Sequence, residues 1–168
     1  MMTKKVYLVL NRCLGCDECR RACSKAHNME HERNFLTLIN NFFPIPARCA
    51  HCPEASCLEV CEHDAISKTE DGIILIDQEK CTGCGACALA CPYGMIYLDM
   101  ENKTAIKCDM CVDRLAEGKE PACVANCGLK ALYYGDINEL EAELGAEMAK
   151  KLFSTGDLLR ELVSGREG

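Results

Sequence analysis

Tryptophan is absent from the 168 residues and aromatic residues together make up 5%, which excludes a large aromatic core. No run approaches the roughly 18 apolar residues of a membrane span. Met1-Met2-Thr3-Lys4-Lys5 leads straight into Val6-Tyr7-Leu8-Val9-Leu10. That run is too short for the h-region of a secretory signal and carries no twin arginine, so a cytoplasmic location is expected. A basic balance is lacking too: the formal charge is −7, and nucleic acid is not an expected partner. What the chain has in excess is cysteine, 16 of 168 residues. In a secreted chain that density marks a disulfide scaffold; in the cytoplasm thiols stay reduced and available to metal.

The cysteines fall into four runs: Cys13-x2-Cys16-x2-Cys19-x3-Cys23, Cys49-x2-Cys52-x4-Cys57-x3-Cys61, Cys81-x2-Cys84-x2-Cys87-x3-Cys91 and Cys108-x2-Cys111-x11-Cys123-x3-Cys127. The third, followed by Pro92, has the spacing of the bacterial iron-sulfur run. Three thiolates two residues apart let one loop curl around three corners of a cube, and Gly83 and Gly85 let the backbone come close. The fourth cysteine starts a helical turn and points away. Three thiolates in such close succession suit a cube better than a single tetrahedral zinc ion. Sixteen cysteines fill four [4Fe-4S] cubes and leave no vacancy for His27 or His31.

The stretch from Cys49 to Cys91 resembles a complete two-cluster ferredoxin, in which each fourth cysteine ligates the other cube. Its halves repeat: Cys61 is followed by His63-Asp64-Ala65-Ile66 and Cys91 by Tyr93-Gly94-Met95-Ile96. Exchange gives one cube to Cys49, Cys52, Cys57 and Cys91, and another to Cys81, Cys84, Cys87 and Cys61. By elimination the outer runs exchange Cys23 and Cys127. One outer cube then takes Cys13, Cys16, Cys19 and Cys127, the other Cys108, Cys111, Cys123 and Cys23. Metal would join distant parts of the chain, and the apoprotein is expected to be largely unfolded. With each oxidised cube adding roughly −2, the charge falls to about −15, suited to a basic patch on another protein.

Around the ligand runs, Lys4 to Leu10, Phe35 to Ile39 and Gly72 to Asp77 read as strands. Asn40-Asn41 is a turn signal, and Phe42-Phe43-Pro44-Ile45-Pro46 is extended, either packed over a cluster or ordinary core. Ser24, not proline, follows Cys23, so the helix begun near Cys19 continues through Ala26. In the eleven-residue gap, Gly118 stops a helical turn and Pro121 starts the helix bearing Cys123 and Cys127. His51, between two ligands, is either a hydrogen-bond donor behind them or a surface residue, and the surface is expected. Arg12, Arg48, Lys80 and Lys107 each precede a run: they either raise the potential of the cluster beside them or are solvated residues at a loop entrance.

The order of the motifs resembles the four-cluster, ferredoxin-type electron-transfer subunits that accompany dimethyl sulfoxide reductases, formate dehydrogenases and carbon monoxide dehydrogenases. The most specific matches are Arg48-Cys49-Ala50-His51-Cys52, Cys91-Pro92-Tyr93-Gly94 and the run from Lys107 to Leu115. The resemblance implies an α+β fold of two ferredoxin-like two-cluster units with cubes spaced for tunnelling along a line. An outer unit spans 1–48 with 99–135, an inner unit 49–98. It also implies a non-catalytic subunit relaying electrons between a catalytic oxidoreductase subunit and another redox partner. That catalytic partner is a tungsten or molybdenum enzyme, a carbon monoxide dehydrogenase or a hydrogenase. The alternatives are a free-standing polyferredoxin and, remotely, a zinc-stabilised interaction protein.

Residues 136–168 carry no cysteine and are expected to form a helical tail. Asp136-Ile137-Asn138-Glu139 resembles a capping box, and Ile137, Leu140, Leu144, Met148 and Leu152 recur at helical spacing, with Gly145 a weak point. Ser154-Thr155-Gly156-Asp157 is a second start signal, followed by Leu158, Leu159, Leu162 and Val163. These stripes cover either the protein's own clusters or a partner subunit or second copy.

Overall fold

In the computed structural model of the protein, residues 4–29, 34–39, 43–145 and 152–154 are described. Short strands and short helices alternate because each cysteine run consumes a loop and leaves little chain for regular structure. The first strand, β1 (Lys4–Val9), is apolar along its second half and lies centrally in a three-stranded antiparallel sheet between β8 (Leu132–Asp136) and β9 (Leu152–Ser154). Lys4 pairs with Asp136 and Leu8 with Leu132, so the start of the chain is stitched to residues beyond its last cysteine. A 3-10 turn, Leu10–Arg12, feeds the first ligand loop, and α1 (Glu18–His27) follows.

Next, β2 (Asn34–Ile39) and β3 (Phe43–Arg48) form an antiparallel hairpin. Pro44 and Pro46 are tolerated because, among the described residues, this ladder has two strands, which leaves each an edge without a ladder. The turn at Asn40-Asn41 lies outside the described residues. Then come α2 (Ser56–Glu59) and a hairpin of β4 (Ile66–Lys68) and β5 (Ile74–Ile76); α3 (Ala86–Ala90) and a hairpin of β6 (Tyr97–Asp99) and β7 (Thr104–Ile106) repeat that unit. The fourth run is interrupted by α4 (Val112–Ala116), closed by Gly118 at φ +71°, and resumes at α5 (Ala122–Ala125), entered through Pro121. Glu117 to Glu120 are exposed, so the insertion bulges outward.

Two main apolar cores hold these elements, and a smaller one joins Ala47 to Met95. Ala55, Ile66, Ile74, Cys87, Ile96 and Ala105 knit the middle repeats, where α2 packs on α3. Val6, Leu8, Ile45, Met110, Val124 and Leu132 form the larger core, where α1 packs on α5. Ile73 of the β4–β5 hairpin reaches into this second core. Among the described residues no helix is long and apolar enough to cross a membrane.

The tail departs from the expected continuous helix. α6 (Ile137–Leu144) starts as read, with Asp136 Oδ1 accepting the Asn138 amide at 2.9 Å, and Leu140 is buried. It stops at Gly145, whose φ of +81° and ψ of 153° lie far from helical values. Leu152 and Ser154, read as the end of one helix and the start of another, instead lie in β9, paired with Val9 and Tyr7. Backbone pairing with the open side of β1 outweighs a helical stripe already broken by glycine. Met148 and residues 155–168 lie outside the described residues.

Candidate metal centre

Each ligand loop is shaped by left-handed residues. In the first, Gly15 (φ +67°) lies so close to β3 that a Cβ there would stand 2.4 Å from Pro44 Cγ. Arg12 secures this loop by donating to Tyr133 Oη at 2.7 Å and to the Lys130 carbonyl at 3.3 Å. In the fourth, Met110 and Cys111 both have positive φ, 61° and 53°. The second turns through His51 at φ +45° and the third through Gly83 and Gly85.

The sixteen thiols are free of disulfides and converge in four groups. Cys49, Cys52, Cys57 and Cys91 line one cavity. Cys61, Cys81, Cys84 and Cys87 line a second, and Cys23, Cys108, Cys111 and Cys123 a third. Cys13 feels the charges of Cys127 and Cys16, and Cys19 those of Cys123 and Cys13, so the remaining four are also neighbours. Backbone amides point at several sulfurs: His51 to Cys49, Met95 to Cys91 and Met110 to Cys108 at 3.4 Å, Ala105 to Cys81 and Ala131 to Cys127 at 3.3 Å. Such donors stabilise thiolate rather than thiol.

Without metal, six of the thiols resist ionisation. Burial pushes Cys19, Cys57 and Cys111 each up to about 11, and Cys108 well above the ordinary thiol value. Cys13 and Cys87 are raised, again chiefly by burial. A bound metal must therefore supply the positive charge that displaces these protons. Four sets of four soft sulfur donors, ringed by N–H groups, fit iron-sulfur cubes in their donor chemistry.

The four basic residues before the runs have three different fates. Arg48 and Lys107 are buried. The Arg48 charge partly offsets the rise of the Cys13, Cys19 and Cys108 thiols, which places it among two cysteine groups. Lys107 Nζ donates to the carbonyls of Ile74 and of Cys108, the latter at 3.0 Å, and its charge reaches Cys57. Arg12 braces its loop through Tyr133, and Lys80 is exposed, 3.8 Å from Asp77.

His51 corrects the surface expectation: it is 2% exposed, and its Nδ1 accepts the Ile74 amide at 3.0 Å. Burial, then Lys107, drives its pKa well below the ordinary value. The ring is thus neutral with its proton on Nε2, and it ties the second ligand loop to β5. The sequence reading also missed His27 and Asp109, which the fold brings to Cys111: His27 Nε2 lies 3.4 Å from Cys111 Sγ and 3.5 Å from Asp109 Oδ1. The available signal was spacing, because His27 stands four residues after Cys23 on one helix.

Comparison with known proteins bears on the same residues. The family model described as a 4Fe-4S dicluster domain matches residues 40–137, and a 4Fe-4S binding domain matches residues 10–26. The chain is 36% identical over 152 residues to the probable anaerobic dimethyl sulfoxide reductase chain YnfG of Escherichia coli (strain K12), covering 80% of this chain and 74% of that one. It is 36% identical over 142 residues to a tetrathionate reductase subunit of Salmonella typhimurium, covering 77% and 56%. To the thiosulfate reductase electron transfer subunit PhsB of Salmonella typhi it is 35% identical over 147 residues, covering 79% and 75%.

Proposed function

The chain belongs to the 4Fe-4S dicluster family, and on that premise we propose that it is the non-catalytic, electron-transfer subunit of a reductase complex, holding four [4Fe-4S] clusters on its sixteen cysteines. The ligand sets are those of the four cysteine groups, with Cys23 and Cys127 exchanged between the outer pair and Cys61 and Cys91 between the inner pair. Each cluster supplies one-electron chemistry, its potential set by net charge, hydrogen bonds and exposure. The chain's residues do the rest: thiolates fix the clusters, backbone amides and buried cations set the charge around them, and apolar side chains exclude water.

The groups form a sequence. Cys19 and Cys123 are electrostatic neighbours, as are Cys108 and Cys49, and α2 packed on α3 joins the inner two. The order this supports runs from the Cys16 group through the Cys111 and Cys57 groups to the Cys84 group. The single observation that carries a relay is the character of its two ends. Cys16 and Cys84 are the two exposed cysteines. Among the described residues, four of the five exposed large apolar residues lie by sequence at the same groups: Leu14 and Leu129 flank Cys13 and Cys127, and Val60 and Leu89 flank Cys61 and Cys87, while Met100 lies in the β6–β7 turn. Electrons enter at one end and leave at the other, where apolar patches meet a catalytic reductase subunit and a further redox partner.

We divide the chain into an outer unit and an inner unit, supported by the α1–α5 and α2–α3 pairs. A boundary at residue 98 would cut the β6–β7 hairpin, whose Ala105 packs in the inner core; we therefore set it after Ile106. The partner is a catalytic oxidoreductase subunit, and the names of the three relatives above, each a chain or subunit of a reductase of a sulfur compound, favour that class.

The test is isolation from the native organism under anaerobic conditions, with iron, sulfide and co-purifying protein measured. About sixteen irons per chain with equal sulfide, in complex with a larger subunit, is the expected result. A chain that carries the iron but purifies alone is a free-standing polyferredoxin. A colourless zinc protein overturns the reading.

A further inference from the structure

Four helices lead to a fourth cysteine, and α1 alone among them continues past it. α2 ends at Glu59, α3 at Ala90 and α5 at Ala125, each short of Cys61, Cys91 and Cys127, whereas α1 passes Cys23 and runs to His27. Ser24 permits this, since it keeps the amide that Pro92 lacks after Cys91. The helix closes when the Asn28 amide bonds back to the Ser24 carbonyl.

The additional turn sets His27 above Cys23 on one helix face, against the cavity of Cys23, Cys108, Cys111 and Cys123. His27 Nε2 faces two acceptors, Cys111 Sγ at 3.4 Å and Asp109 Oδ1 at 3.5 Å. A nitrogen facing a thiolate and a carboxylate must carry its hydrogen. For sulfur 3.4 Å is a hydrogen-bonding distance, while 3.5 Å is long for N–H···O, so the sulfur is the primary acceptor and the carboxylate helps to aim the ring. Asp109 is itself held, its Oδ1 accepting the Cys111 amide at 2.9 Å. The His27 and Asp109 side chains are only 12% and 18% exposed, so water competes weakly for this contact. At Cys49, Cys81, Cys91, Cys108 and Cys127 the described N–H···S donors are backbone amides; Cys111 receives a side chain from another part of the chain.

We infer that His27 is a positioning residue that donates an N–H···S hydrogen bond to Cys111 and so holds the cluster of Cys23, Cys108, Cys111 and Cys123 at a higher potential than its thiolates alone would give. This rests on the proposed role of Cys111 as an iron ligand. The physical reason is charge: the reduced form carries one electron more, and a donor on the ligand sulfur stabilises that form most. Because this group adjoins the Cys16 group, His27 sets how readily an electron taken up at that end rests one step further in.

The test uses the full iron-loaded chain with His27→Leu, His27→Gln and Cys111→Ser, followed by anaerobic redox titration with electron paramagnetic resonance and metal analysis. Cys111→Ser identifies the cluster by altering one of the four; if it alters none, the ligand reading beneath the inference fails, whatever His27 does. The expected result is that His27→Leu keeps the full iron content and shifts that one cluster to lower potential, while His27→Gln, which keeps an N–H donor, recovers much of the shift. The inference is overturned by unmoved potentials, by equal shifts in both variants, by shifts spread over all four clusters, or by loss of the cluster in both, which would mark a packing role. It is equally overturned if the native chain holds an additional metal ion that His27→Gln removes, since His27, Asp109 and Cys111 would then be joint ligands.

Discussion

Replacing Gly83 by Ala puts a single methyl group into the third ligand loop at a place where nothing can yield. The residue has φ +68°, and its Cβ would lie 2.4 Å from the Lys103 carbonyl oxygen and 2.7 Å from the Lys103 carbonyl carbon. Lys103 ends the β6–β7 turn, which is pinned by Asp99 Oδ1 accepting the amides of Glu101 at 3.0 Å and Asn102 at 2.9 Å. Gly94 is the matched control, because its φ is +63° and no atom lies within 4 Å of its added Cβ. Both substitutions carry the left-handed penalty of about 1–2 kcal/mol. Only Gly83→Ala adds the overpacking cost of about 1–3 kcal/mol, so the difference isolates the clash. At about 2–4 °C per kcal/mol for a chain of this size, the gap between the two variants is about 2–12 °C. The assay is anaerobic thermal bleaching of the visible iron-sulfur absorbance at one scan rate, since cluster loss is irreversible and the midpoint is operational. Equal midpoints, or a lower one for Gly94→Ala, would refute the claim that the third loop is wedged against the turn of its own hairpin.

Three further perturbations follow from the same geometry. Cys23→Ala is expected to damage the cluster of Cys108, Cys111 and Cys123 while sparing that of Cys13, Cys16 and Cys19; cluster-resolved spectroscopy reads which is lost, and damage confined to the latter contradicts the exchange. Lys107→Met removes a buried cation and should lower the potential of the adjoining clusters by tens of mV, as about 1–2 kcal/mol at an effective dielectric near 20 requires. Lys80→Met, at an exposed site, should move its cluster much less, and equal shifts would show that burial is irrelevant. Stripping the iron with a chelator under anaerobic conditions should abolish the far-ultraviolet circular dichroism of α1 and α5 and most amide protection, because small metal-held folds rarely persist as apoproteins; retained protection in β1 and β8 would mean that the three-stranded sheet stands without metal.

The cysteine runs were legible because their spacing is a local code: loop, helix and fourth thiol all lie within one run, and the insertion between Cys111 and Cys123 announces itself with Gly118 and Pro121. One strand of the β4–β5 hairpin was legible for the same reason, as Gly72 to Asp77 is a short apolar run rich in β-branched residues. What escaped depends on contacts distant in sequence. Nothing in Ala50-His51-Cys52 tells that the imidazole will accept the amide of Ile74, 23 residues away, and His27 meets Cys111 across 84. In the tail, the apolar spacing continues through Gly145 as if the helix did, and three residues, Leu152 to Ser154, give no strand signal of their own. Their pairing is dictated by the vacant side of β1, at the other end of the chain.

The pairing of Lys4 with Asp136 also sets a timetable for biosynthesis. β1 emerges from the ribosome first and its neighbour β8 only after the last cysteine, and the same delay separates Cys13, Cys16 and Cys19 from Cys127. At about 5–20 residues per second, more than a hundred intervening residues mean a wait of roughly 5–20 s. The inner groups are complete once Cys91 is out, so they can be filled while the outer thiols are still unmatched. During that interval Cys13, Cys16, Cys19 and Cys23 sit on a nascent segment with no partner strand, open to oxidants and to stray metal. A pulse of oxidant during translation should therefore leave chains that retain the inner clusters and lack the outer ones, a pattern that the finished protein, oxidised after release, would not reproduce.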